Sequence, residues 1–235
     1  LYGMPYKANE INAIAKQYNI PVIEDSAEAL GSTYFGQKCG TLSDIGILSF
    51  NGNKIITTSG GGALIVKQPE LKQRAVFLST QARDEAPHYE HSSIGYNYRM
   101  SNVLAGIGRG QMEVLDIRVN ARRANYLFYK THLSSFDTIH FLNEPEGFYA
   151  NRWLTCVTFD AVEQREAVRL ALLEENIESR PLWKPMHMQP LYCGNLFFGS
   201  NVAENIFNNG LCLPSGSNLT KADRHRINKT LKPFI

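Results

Sequence analysis

Apolar residues at Ile11, Ile14, Ala15 and Tyr18 recur at i, i+3, i+4 and i+7, the spacing of one helix face, and Asn19 followed by Pro21 closes that helix. Residues 21–24 then read as a short strand ending in Asp25, so helix and strand make half of a parallel βαβ unit. Residues 33–35, 45–50, 55–58 and 63–66 read as successive strands, with a turn at Gly36 and a tight turn at Gly60 to Gly62 where backbone comes close to backbone. Pro69 opens a helix to about Ser79 that turns Leu71, Ala75 and Leu78 inward. A polar loop with Arg83, Asp84, His88 and His91 leads to Ser101, the expected N-cap of a long helical region reaching about His132. Leu104, Ile107, Leu115 and Val119 are its inward positions. Gly106, Gly108 and Gly110 each cost roughly 1 kcal/mol against Ala there, which implies close packing against another backbone, one from a second subunit included.

Beyond residue 120 the pattern changes. Residues 139–142 and 153–159 read as strands, Asp160-Ala161-Val162-Glu163 as a capping box for a helix to about Asn176, and residues 177–182 as a returning strand. Thr220 and Asp223 form a second capping box ahead of a terminal helix with Ile227 and Leu231 inward. The fold class is therefore α/β. Residues 1–119 form a mostly parallel α/β part, and residues 120–235 a smaller α+β part built around a β-β-α-β unit. There are no repeats and no low-complexity tracts.

Composition narrows the partners. With 235 residues and 43% hydrophobic positions the chain has material for a sizeable core. A formal charge of +2 without runs of like charge argues against a nucleic-acid surface or a polybasic membrane patch. No apolar run reaches spanning length, and there is no leader-like start. The four cysteines are far apart in sequence without a C-x-x-C pair, so neither a zinc site nor a disulfide framework is expected. Buried thiols in the cytoplasm are the simplest account. His88 and His91 stand in a polar loop without a third ligand, so no metal is expected.

The candidate chemistry centres on Lys54. It follows a small-residue corner, Asn51-Gly52-Asn53, and lies between two expected strands. A solvated turn lysine fits that position as well. Asp25 sits at the carboxyl end of a strand, the edge of an open α/β sheet where ligands bind, although a carboxylate capping the following turn has the same sequence appearance. An acid, a serine (Ser49) and a lysine in this setting suggest pyridoxal phosphate chemistry. The acid would keep a pyridine nitrogen protonated, the amine would bond the cofactor aldehyde and then carry protons, and the hydroxyl would donate to the phosphate. Spacing alone does not distinguish this from chance.

Longer stretches do. Glu24-Asp25-Ser26-Ala27-Glu28-Ala29-Leu30-Gly31, the run from Gly46 through Lys54 to Thr58 with its following glycines, and Gly95-Tyr96-Asn97-Tyr98-Arg99-Met100-Ser101 resemble, in this order, the signature of the DegT/DnrJ/EryC1/StrS sugar aminotransferases. Pro181-Leu182-Trp183-Lys184-Pro185-Met186-His187 and Cys212-Leu213-Pro214-Ser215-Gly216 resemble the PglE-like branch, which aminates C4 of UDP-4-keto-6-deoxy-GlcNAc in bacterial glycan synthesis.

The resemblance implies a fold-type I enzyme using pyridoxal 5'-phosphate, of which this chain holds the later part of the large domain and the small C-terminal domain. It implies Lys54 as the Schiff-base lysine, Asp25 on the pyridinium nitrogen, Ala27 under the ring and Ser49 on the phosphate. Asn97 would reach the phosphate in the neighbouring subunit of a homodimer with shared sites. Glu28, where many relatives carry Gln or His, would meet the O3′ side of the cofactor or the sugar. Lys184 and His187 would line the entrance for the nucleotide sugar. L-Glutamate is the implied amino donor. A 3-keto sugar or a cyclitol is the alternative acceptor, and a non-catalytic assembly module the alternative of another class. The family's earlier part, with a Gly-Ser/Thr phosphate loop and a stacking aromatic, precedes Leu1 in the resemblance, so weak cofactor binding by this chain alone is expected.

Overall fold

The computed structural model describes residues 1–235. Its first elements are α1 (Ala8–Gln17), β1 (Ile23–Asp25), β2 (Thr33–Tyr34), β3 (Gln37–Lys38), β4 (Ile45–Ser49), β5 (Gly62–Val66), α2 (Pro69–Ser79) and α3 (Asn102–Glu113). There follow α4 (Leu115–Leu133), β6 (Ile139–Phe141), β7 (Phe148–Tyr149), β8 (Thr155–Phe159), α5 (Val162–Glu174), β9 (Arg180–Pro181), α6 (Val202–Asn209), β10 (Gly210–Leu213) and α7 (Lys221–Leu231). Contacts gather the chain into two units. The first holds Leu1, Gly3–Val119 and Pro145–Trp153; the second holds Tyr2, Asn120–Glu144 and Leu154–Ile235. Sequence alone assigned residues 145–153 to the second part, but β7 pairs with β2, Tyr149 opposite Thr33, and joins the first.

In the first unit β1 and β4 run parallel, with Asp25 opposite Ile47, and β5 is antiparallel to β4, with Ser49 opposite Gly62. The usual alternation is inverted in β1: Ile23 is 61% exposed, whereas Glu24 is buried at 3%. A buried carboxylate needs donors. Glu24 has them in the N–H groups of Gly40 (2.6 Å) and Leu42 (2.9 Å) and the hydroxyl of Ser26 (2.6 Å). These bonds hold the turn at residues 39–42 beside β1, where Cys39 and Leu42 pack with Ala8, Ala29 and Tyr34. Gly46 is obligatory in this arrangement, because a Cβ there would lie 1.9 Å from the Gly40 carbonyl oxygen.

Several sequence expectations are corrected here. The helix α1 forms, but Ile11, Ile14 and Tyr18 are exposed; Asn12 donates to the Leu42 carbonyl (2.8 Å) and accepts from Ser43 (2.8 Å), so a polar contact turns the Ala8–Asn12 face inward. No strand forms over residues 55–58. The chain there makes a loop closed on Phe50, whose N–H donates to Gly61 and whose carbonyl accepts from Thr58, both at 2.9 Å. Ile55 and Ile56 are buried as anchors of that loop. The long helix divides at Val114, and Ile107 is 47% exposed. Gly106 and Gly110 face open space, while Gly108 meets only the Thr58 side chain, so no backbone of this chain explains them. Ser101 caps α3 as expected, accepting from the Leu104 N–H at 3.3 Å.

The second unit is a four-stranded antiparallel sheet in the order β6-β8-β10-β9. Tyr129, Leu133, Val157, Phe159, Val168, Leu172, Leu211 and Leu231 fill its core. The Thr220 and Asp223 capping box forms on α7. The expected box on α5 does not: the N-cap is Ala161, and Asp160 instead binds His140 Nε2 at 2.7 Å. The returning strand shrinks to β9 because Asn176, at φ +56, ends α5 in a left-handed turn with the Ile177 N–H bonded to the Leu172 carbonyl. The elements β3, α6 and β10 had no clear sequence signal. Strand β10 brings Cys212 opposite Cys156, their sulfurs 3.9 Å apart, and Cys193 is exposed, so the thiols are neither all separate nor all buried. No helix is long and apolar enough to cross a membrane.

Candidate active site

The carboxyl end of β1 opens into a cavity of about 660 Å³ whose lining includes Asp25, Ser26, Ala27, Glu28, Cys39 and Lys54. Asp25 leaves β1 and turns back on itself: its Oδ1 accepts the Ala27 N–H at 3.0 Å, which fixes the loop that carries Ala27 and Glu28. Lys54 reaches the cavity on the turn after β4, its N–H bonded to the Asn51 carbonyl at 3.1 Å. Only 14% of its side chain is exposed, and 17% of that of Glu28, whose Oε1 lies 3.9 Å from the Lys54 Nζ. This is not a solvated turn lysine.

A residue that sequence reasoning missed packs against Lys54. The Lys54 Nζ stands 4.6 Å from the centroid of the Trp153 ring, and the indole N–H donates to the Asn53 carbonyl at 2.8 Å. Trp153 is held by Asn151, whose Oδ1 accepts the Trp153 N–H at 2.7 Å while its Nδ2 donates to the carbonyls of Glu28 (2.9 Å) and Leu30 (2.8 Å). The buried Asn151 thus links the tryptophan to the loop of Glu28. The approach is tight: at Gly3, φ +95, a Cβ would fall 2.0 Å from Asn151 Oδ1. The sole cue in the sequence was that tryptophan is scarce, the chain having two.

Charge and burial set the reactivity around the cavity. Burial, then the Glu24 carboxylate, pushes the Cys39 thiol up to about 12, so it stays protonated and is no nucleophile at neutral pH. The amine of Lys54 is left as the nucleophilic group of the wall. An amine, a carboxylate at a strand end and the small side chain of Ala27, all lining one cavity, can bond a carbonyl carbon, hold a proton on a ring nitrogen and leave room for a flat ring.

The remaining expected site residues lie elsewhere. Ser49 ends β4 outside the cavity lining; its hydroxyl accepts the Asn51 N–H at 3.4 Å. Asn97 is exposed, pairs with Thr80 in an isolated bridge and is also absent from the lining. Lys184 and His187 belong to the second unit. Lys184 is exposed there, and His187 stacks on Phe197 at 3.9 Å with its Nε2 3.0 Å from Glu204 Oε1. The histidines at 88 and 91 bind Glu90 and the Gln81 carbonyl, and no cluster of metal-ligating side chains occurs.

Comparison with known proteins adds to this geometry. The sequence pattern that defines the DegT/DnrJ/EryC1/StrS aminotransferase family matches residues 1–232. EpsN of Bacillus subtilis (strain 168), whose name places it with the pyridoxal phosphate-dependent aminotransferases, is 48% identical over 235 residues, covering 98% of this chain and 61% of EpsN. GDP-perosamine synthase of Escherichia coli O157:H7 is 35% identical over 234 residues, covering 100% of this chain and 64% of that protein. The crystal structure of the aminotransferase TlmJ from Streptoalloteichus hindustanus superposes with a TM-score of 0.91 at 28% identity, covering 99% of this chain and 63% of that one. The chain spans less than two thirds of the length of each of these proteins.

Proposed function

Because this chain belongs to the DegT/DnrJ/EryC1/StrS aminotransferase family, we propose that its cavity holds pyridoxal 5'-phosphate and that the protein moves an amino group from L-glutamate to C4 of a nucleotide-linked 4-keto-6-deoxy sugar. One observation carries this reading: the amine of Lys54, the carboxylate of Asp25 and the small side chain of Ala27 line a single cavity. That donor set fits the cofactor, whose bound ring would supply the electron sink for proton removal at the substrate carbon.

The work of the chain's own residues follows from their chemistry. Lys54 Nζ would hold the cofactor and would serve as the base that takes and returns the proton of the reacting carbon. Asp25 would hold the ring-nitrogen proton in place, and one of its oxygens is already fixed by the Ala27 N–H. Glu28, 3.9 Å from Nζ, is positioned to orient the amine or to accept from a sugar hydroxyl. Ser49 serves the phosphate, together with Asn97 from a second copy of the chain in a homodimer. Lys184 supplies a cation for the diphosphate of the nucleotide sugar, and His187 lines the same entrance. Similarity to GDP-perosamine synthase supports a sugar acceptor. The choice of C4 rests on the motifs at residues 181–187 and 212–216, and the cytoplasm, where nucleotide sugars are made, is the expected setting.

The test is direct. The protein is incubated with pyridoxal phosphate, reduced with borohydride and mapped by peptide mass spectrometry. A reduced pyridoxyl group on Lys54 is expected, and Lys54→Ala abolishes it. A native protein that takes up label only on exposed lysines such as Lys184 overturns the reading. Amination of paired 4-keto and 3-keto nucleotide sugars then decides the position.

A further inference from the structure

Trp153 grips Lys54 at two points. Its indole N–H is bonded at 2.8 Å to the carbonyl of Asn53, the peptide immediately before the lysine, and its ring face lies 4.6 Å from the Nζ at the far end of the same residue. The negative face of an indole attracts a cationic head at that range, and the bond to the Asn53 carbonyl fixes where the side chain starts. A four-carbon side chain held at root and tip keeps few rotamers. The tryptophan is itself fixed. It is 2% exposed, Asn151 holds its N–H, and the residue before it, Arg152, adopts φ +54, a left-handed conformation unfavourable for a non-glycine residue. The same Asn151 binds the carbonyl of Glu28, whose carboxylate is the other group near Nζ. Filling a core would require none of these directed contacts to Lys54 and its loop.

We propose that Trp153 is a positioning residue that sets the direction of the Lys54 amine, with Asn151 as the latch that keeps the ring and the Glu28 loop in register. The inference rests on Lys54 being the cofactor-bearing lysine, and it extends that reading to a residue 99 positions later in the chain. Misdirection of a reacting amine by about an ångström costs up to about a hundredfold in rate.

The experiment uses the native chain labelled with ¹³C-lysine, with the Lys54 ε-methylene signal assigned through Lys54→Arg. Without any cofactor, that signal is expected upfield of the other lysines, because the methylene is bonded to the Nζ that stands over the indole face. With pyridoxal phosphate and borohydride, the rate of label at Lys54 is followed in Trp153→Leu and Trp153→Phe. Loss of ring and N–H in W153L brings the signal to the bulk lysine position and slows labelling roughly tenfold to a hundredfold. W153F, which keeps a ring face but no N–H, keeps part of the upfield shift and recovers part of the rate. A native Lys54 signal at the bulk position, or a folded W153L labelled at the native rate, overturns the proposal. Should W153L fail to fold, W153F decides alone, and a native labelling rate in it has the same consequence. A shifted native signal combined with no label on Lys54 overturns the proposed cofactor role of Lys54 instead, which keeps the two failures distinct.

Discussion

Cys39 shares the cavity wall with Lys54, yet its chemistry is the reverse. Burial raises its thiol from about 8.5 in an unfolded chain to about 12. The folded state therefore retains a proton that the unfolded state has lost, and stability falls with rising pH across that interval. The contribution is complete below about 8.5, the unfolded value, and is gone once pH passes the folded one. Cys39→Ala is expected to flatten the alkaline limb of a stability profile measured by urea unfolding from pH 8 to 11, and an unchanged slope refutes the assignment. In the native protein at pH 8.5, iodoacetamide should modify the exposed Cys193 first and Cys39 only through unfolding, as peptide mapping against time would show. At this scale the meeting of Asp25, Ala27, Glu28 and Lys54 at one cavity was legible because each lies in a short run that resembles a motif of the family. Trp153 was not, since its meaning depends on a turn 99 residues earlier that no local pattern connects to it.

Elements show the same limit. Thr220-x-x-Asp223 and Asp160-x-x-Glu163 look alike as sequence, but only the first caps a helix. The Thr220 hydroxyl accepts the Asp223 N–H at 3.1 Å and the Asp223 carboxylate accepts from Thr220 in return. Asp160 is taken by His140, which strand pairing between β6 and β8 brings alongside it, His140 standing opposite Thr158. Thr220→Ala should cost about 1 kcal/mol in chemical denaturation. Hydrogen bonds from Thr220 hold the Asp223 carboxyl below the usual range, so the cap contributes fully above the ordinary carboxylate value and is lost as pH falls through the lowered one. A larger effect belongs to Asn151, the latch that follows β7. Asn151→Ala strands the Glu28 and Leu30 carbonyls and the Trp153 N–H, and the expected loss is about 3 kcal/mol or more. A melting curve unchanged by N151A would show that water replaces the amide without cost.

For the whole molecule, the residues expected to form one site are not all gathered by one copy of the chain. Asp25, Ala27, Glu28 and Lys54 meet at one cavity, while Asn97 is exposed and outside its lining. Around Asn97 the surface is apolar and uncovered: Ile94 is 84% exposed, Tyr98 76%, Val103 74% and Ile107 47%. That surface includes α3, whose glycines at 106 and 110 meet nothing within this chain. The proposed homodimer, with Asn97 of one copy in its neighbour's cavity, would account for both, and subunit mixing tests it. In a two-fold dimer, a Lys54→Ala chain paired with an Asn97→Ala chain contains one doubly damaged site and one intact site. Mixing the two proteins after gentle dissociation should restore about one quarter of the native borohydride-fixed label on Lys54, with cofactor in excess of sites but too dilute to load a site lacking Asn97, since about half of the dimers are mixed and each has one good site. If Asn97 instead serves its own chain, every mixed site carries one lesion and mixing restores nothing. The family resemblance assigned Asn97 to the neighbouring subunit's site, but no local pattern of residues shows that, because it depends on the geometry between chains. The size of the recovered label decides it.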